Sequence, residues 1–135
     1  MTQYRSLMTS RGVHALALLC LCAAYLQGAV DKAADFPSAV AEMRHFGLAP
    51  AAPLAAAVAL FEAVAALMVI AGWHRWLGAV ALAGFTVAAS FVANRFWELA
   101  APDRVMAANA FFEHWGLAGG FLLVAWYDLR QRDAA

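Results

Sequence analysis

The chain has 135 residues, of which 65% are hydrophobic and 13% charged, with zero formal net charge and a mean hydropathy of +0.69. A soluble domain of ordinary composition is about half apolar and a quarter charged, so a water-solvated globule is excluded. Zero net charge excludes the basic footprint of a nucleic-acid binder. The two cysteines, Cys20 and Cys22, stand two apart in one apolar stretch and make neither a disulfide framework nor a metal motif.

Residues 4–12 read as a short polar lead carrying Arg5 and Arg11. Residues 13–30 form the first apolar stretch; it is long for a signal peptide and lacks a small-x-small cleavage site, so it reads as a retained membrane helix. Gln27, Asp31 and Lys32 gather at its far end. Residues 36–48 then read as a surface helix, capped by Ser38 after Pro37, with an apolar stripe of Phe36, Val40, Met43 and Phe46 and a stop at Gly47. Such a helix is expected to lie in the outer interface.

Pro50 and Pro53 open a second span, 51–72, whose only ionisable residue is Glu62. Crossing ~30 Å of hydrocarbon takes ~20 helical residues, which this run supplies. A carboxylate at that depth costs at least ~2.5 kcal/mol, so Glu62 is expected to face the bundle interior and to have a partner. Trp73, His74, Arg75 and Trp76 are headgroup anchors at a tight hairpin into span three, 76–93. A short loop around Pro102 leads to span four, 105–127, and a polar tail. The expected fold is therefore all-α: a single domain over 1–135, an integral membrane four-helix bundle with a short interfacial helix between spans one and two. Ala63, Ala65, Ala66, Gly78 and Gly84 permit close helix approach. Arg5, Arg11, Arg75, Arg130 and Arg132 at one end outnumber Lys32, Arg44, Arg95 and Arg104 at the other, which favours cytoplasmic termini.

Spans two and four run the same way, which places Glu62 and Glu113 within roughly 5 Å in depth at ~1.5 Å rise per residue. Helical geometry puts Asn109, Glu113, Gly116 and Gly120 on one stripe, expected to face other helices while Phe111 and Leu122 meet lipid. Lys32 and Arg95 are placed to neutralise the carboxylates, and His114 is an interhelical donor or a ligand-binding group. The candidate ligand-binding set is thus Glu62, Glu113, Asn109, His114, Lys32 and Arg95. Phe61, Phe91, Phe96, Trp97, Phe112 and Trp115 are expected to wall a polar pocket suited to a small amphiphile. No spacing supports a metal site.

Several short stretches in order carry a resemblance: 28–32 (GAVDK), 46–50 (FGLAP), 60–64 (LFEAV), 72–75 (GWHR), 95–97 (RFW) and 109–120 (NAFFEHWGLAGG). The chain resembles the DoxX-like family of small bacterial membrane proteins. That resemblance implies an inner-membrane four-helix protein, and some relatives are membrane subunits of quinone-linked sulfur or redox systems. It implies roles for Lys32, Glu62, Arg75, Asn109 and His114. Ala65 and Ala66 stand where family glycines are often seen, and His114 where a basic residue is usual.

Three functions are open to such a chain. The first is a binding or partner subunit for a redox protein, holding a quinone or similar amphiphile without a covalent bond. The second is a stand-alone enzyme with Glu62 or Glu113 as general base. The third is a small proton-coupled transporter, acting as an oligomer. No dinucleotide, haem-attachment or iron–sulfur pattern is present, so an electron carrier is the ligand itself or comes from a partner.

Overall fold

A computed structural model describes Met1–Ala135 as helices joined by short turns: α1 (Thr2–Met8), α2 (Arg11–Ala34), α3 (Phe36–His45), α4 (Ala51–Ala71), α5 (Arg75–Ala93) and α6 (Asp103–Asp133), with a single 3-10 turn at Phe96–Glu98. The fold is all-α. Three segments are long and apolar enough to cross a membrane: Arg11–Ala34, Ala51–Ala71 and Arg75–Glu98. α6 has the length, but Asn109, Glu113 and His114 dilute its apolar stretch.

Local chemistry explains most boundaries. The Ser10 hydroxyl accepts from the Val13 N–H at 3.2 Å, which starts α2 two residues before the expected span. The polar lead is itself helical as α1, whose last turn is closed by the Thr9 hydroxyl on the Arg5 carbonyl. Asp35, not Ser38, caps α3: its carboxylate accepts from the Ser38 N–H at 3.2 Å and from the Ser38 hydroxyl at 2.7 Å. The reason is Pro37, which has no N–H, so the first orphan donor within a cap's reach belongs to Ser38. Both hydrogen bonds hold the exposed Asp35 carboxyl below its ordinary range. α3 ends at His45 rather than Leu48. Gly47 turns at φ +71°, its N–H meets the Arg44 carbonyl at 3.0 Å, and the Leu48 N–H meets the Met43 carbonyl at 2.9 Å.

The α4–α5 hairpin turns on Gly72, at φ +83°, and His74, at φ +47°. No side chain of its own caps α5; Asp128, from α6, accepts the Trp76 N–H at 3.1 Å. That contact draws the C-terminal part of α6 against the hairpin. α6 also runs past the expected span through Asp133, because Arg130 and Arg132 complement its C-terminal dipole and Arg132 pairs with Asp128 one turn earlier at 3.0 Å.

The four long helices share one core. Leu18, Cys22 and Tyr25 of α2, Ala65, Ala66 and Val69 of α4, Ala79, Leu82 and Ala83 of α5, and Ala118, Phe121 and Ala125 of α6 are all buried in it. α5 packs most extensively on α6, and α2 on α4. Gly78 is the tightest point between α4 and α5: a Cβ there would stand 2.8 Å from the Ala65 carbonyl oxygen. α3 packs Ala39 and Met43 onto Ala55, with Val40, Leu54 and Val58 around them, so it covers the first turns of α4.

Candidate functional site

Above the core the bundle opens into a cleft of about 410 Å³ bounded by five of the helices. α2 contributes Tyr25, Gly28 and Lys32 to one wall, and α4 contributes Val58 and Glu62. α5 adds Phe85, Thr86 and a row of small residues, and α6 adds His114 and Leu117. Met43 and Phe46, from α3 and its end, close the top beside Glu42. The walls are mostly apolar, and the polar groups come in three hydrogen-bonded sets.

The first set is an ion pair. Lys32 Nζ lies 3.1 Å from Glu62 Oε2, with only 16% and 9% of the two side chains exposed. Lys32 also donates to the Gly28 carbonyl at 3.4 Å. Gly28 makes the room: a Cβ there would lie 2.9 Å from Glu62 Oε2 and 3.3 Å from Lys32 Nζ. Lys32 stands one turn beyond Gly28 on α2, so its four-carbon stem runs back along the helix to a carboxylate deep on α4.

In the second set the Thr86 hydroxyl donates to the Leu82 carbonyl at 2.6 Å. Its proton is therefore committed, and the Tyr25 hydroxyl donates to Thr86. The third set crosses from α5 to α6, with Ser90 Oγ 2.7 Å and Asn94 Nδ2 3.4 Å from His114 Nδ1. The Asn94 amide nitrogen has only N–H groups to offer, so in this contact Nδ1 is the acceptor. No buried polar side-chain atom is left without a partner.

Glu62 is buried and partnered, as its depth in an apolar run requires, and Lys32 is the partner. The cleft brings these two together with His114 and leaves out the other three candidates. Arg95 is exposed and pairs with Glu98 at 3.3 Å. Asn109 and Glu113 lie on the exposed face of α6. The expected orientation of that helix is corrected. Phe111, Ala118, Phe121 and Ala125 face inward, while Asn109, Glu113 and Gly116 face out. Bulk decides it: Phe111 is the hub of an aromatic cluster, with ring centroids 5.4 Å from Phe91 and Phe96 and 5.7 Å from Trp97.

That cluster also takes the aromatic residues expected to wall the pocket. Phe91, Phe96, Trp97, Phe112 and Trp115 pack with Phe111, and Phe61 meets Phe85 at a tilt, with ring centroids 5.2 Å apart. Beside the His114 imidazole, the rings on the cleft are Tyr25, Phe46 and Phe85. Tyr25, Gly28, Thr86 and Ser90 are the site residues missed in the sequence. Their signal is spacing: Thr86 and Ser90 on α5 and Asn94 at its C-terminal cap recur every four residues, and Tyr25, Gly28 and Lys32 recur at three and four on α2.

A family model described as DoxX matches residues 15–95, a stretch that holds Gly28, Lys32, Glu62, Thr86 and Ser90. The chain belongs to the DoxX family. It is thus a multi-pass membrane protein of that family with a buried carboxylate in an ion pair. The matched stretch covers Lys32 and Glu62 and ends before α6, which carries His114. No curated protein and no solved structure matches the chain.

Proposed function

We propose that this protein is a ligand-binding partner subunit of a redox system in the bacterial inner membrane, holding a quinone or similar ring-bearing amphiphile in the Lys32–Glu62 cleft. The observation that carries the reading is convergence: ammonium, carboxylate, phenol and imidazole from three helices meet on one apolar cleft. About 410 Å³ lies within the range of small-molecule sites, roughly 300–1,000 Å³. A carbonyl oxygen on the ligand is matched by Lys32 Nζ, while the Tyr25 oxygen, whose proton goes to Thr86, is left to accept from a ligand donor. A hydroxyl is matched by Glu62. The Lys32 ammonium supplies, or the Glu62 carboxylate takes, the proton that accompanies a change in the ligand's oxidation state, and the electrons are exchanged with the partner protein.

On this reading the whole chain is one domain, with α2, α4, α5 and α6 as four spans and α3 lying at the outer interface above the cleft. Both termini are cytoplasmic, in keeping with the arginine-rich end. The closed core below the cleft, where Val69, Leu82 and Phe121 are fully buried, favours a blind binding site over a transport path. Glu113 and Asn109, on the outer face of α6, favour a protein neighbour there, since an unshielded carboxylate in lipid costs at least ~2.5 kcal/mol.

The test is native mass spectrometry of protein released gently from its own membrane, beside Glu62→Gln. A quinone-sized mass that co-purifies with the wild type and is lost from the variant is the expected result. Bare protein in both samples, or protein bound only to another polypeptide, would leave the ion pair a lock between α2 and α4.

A further inference from the structure

A second cleft, of about 680 Å³, lies at the opposite end of the bundle. It is formed where the α1–α2 turn, the head of α5 and the last turns of α6 meet, and the Lys32–Glu62 reading makes no use of it. Its lining includes Ser10, Arg11, His14, Arg75, Asp128 and Gln131. The charge balance there is one-sided. The chain has three ion pairs, and neither Arg11 nor Arg75 belongs to any of them.

Arg75 is fixed rather than free. Its Nε donates to the Val69 carbonyl at 2.7 Å and one terminal nitrogen approaches the Ile70 carbonyl at 3.5 Å, so the last turn of α4 holds the guanidinium over Gly72. Those carbonyls orient the group without cancelling its charge. Asp128, the only carboxylate on the cleft, is already engaged by the Trp76 N–H and by Arg132. The start of α2 adds the positive end of a 24-residue helix with no acidic residue in its first turn. Two arginines, a histidine, a serine and a glutamine therefore face one cavity with no free anion. Planar guanidinium groups with neutral donors beside them are the chemistry that recognises phosphate.

The depth of this cleft selects the source of the phosphate. Trp73, Trp76, Trp126 and Tyr127 gather at this end, and Arg130 lies over the Trp126 ring at 5.0 Å, the arrangement of a headgroup-level belt. α1 carries exposed Tyr4, Leu7 and Met8 beside the cleft, side chains that an interface buries. We infer that the Arg11–Arg75 cleft binds the phosphate of an anionic phospholipid headgroup. The lipid joins α1 to the α4–α5 hairpin and the end of α6.

The experiment reconstitutes the full chain in bilayers of phosphatidylcholine mixed with phosphatidylglycerol and counts retained lipid by native mass spectrometry. Wild type is compared with Arg11→Gln and with Arg5→Gln, an exposed arginine of α1 outside the cleft. Arg11 is itself exposed, so its replacement leaves the core intact. Wild type is expected to retain phosphatidylglycerol selectively, as is Arg5→Gln. Loss of one charge-assisted bond to phosphate weakens retention about tenfold in Arg11→Gln. Equal retention by all three chains would overturn the site. Displacement of the lipid by inorganic phosphate, with the same phosphate affinity in pure phosphatidylcholine, would overturn the lipid as the source.

Discussion

Replacing Lys32 by Met tests whether the ion pair is the polar centre of the fold. The substitution keeps most of the stem's packing and removes the ammonium 3.1 Å from Glu62 Oε2. The carboxylate then stays in a site where 9% of its side chain is exposed and no other hydrogen-bond donor meets it. Removing one partner of a buried pair costs ~3–5 kcal/mol, mostly the penalty of the charge left behind. That is a large part of the ~5–15 kcal/mol that holds a typical domain together. Glu62→Gln has a smaller cost, because Lys32 stands near the end of α2, keeps its bond to the Gly28 carbonyl and can reach headgroup level. Lys32→Met combined with Glu62→Gln removes both charges and recovers much of the loss. Equilibrium unfolding in detergent micelles across this cycle is the assay. Additive single effects, or Glu62→Gln as damaging as Lys32→Met, would refute the reasoning.

Gly28→Ala drives a Cβ to within 2.9 Å of Glu62 Oε2, so it should cost ~1–3 kcal/mol in wild type and little in a Glu62→Ala background, read by the same unfolding assay. Gly78→Ala, blocked 2.8 Å away by the Ala65 carbonyl, should cost ~1–3 kcal/mol, whereas Gly84→Ala, with nothing within 4 Å, should be neutral or stabilise by up to ~1 kcal/mol; melting temperatures of the two decide. Asp35 has a lowered carboxyl pKa, so its contribution to α3 is complete above the ordinary value of 3.8 and is lost as pH falls through the lowered one. The Ser38 amide shift followed by NMR should titrate below that value, and a Ser38 amide that does not respond to acid would count against the cap.

The sequence alone carried the membrane class, the order of the four long helices and the demand for a partner at Glu62. Each follows from one-dimensional physics: an apolar run of bilayer length, proline and glycine at the turns, and the cost of a charge in hydrocarbon. Four of the expected segments match α2, α4, α5 and α6 to within a few residues at most ends, because most of their limits are set by the Ser10 cap and by breakers at Pro50, Gly72 and Pro102. Which way each helix turns was settled only by packing. α6 carries polar, small and aromatic residues all around, so its periodicity could not choose between burying Glu113 and burying Phe111. The aromatic cluster with Phe91, Phe96 and Trp97 chose Phe111, which turned His114 toward Ser90 and left Glu113 outside. In the same way Lys32 rather than Arg95 met Glu62, because Gly28, one turn before Lys32, leaves room for the carboxylate of a different helix, a contact that only packing supplies. Tertiary structure decided the partners; the sequence had decided that partners were needed.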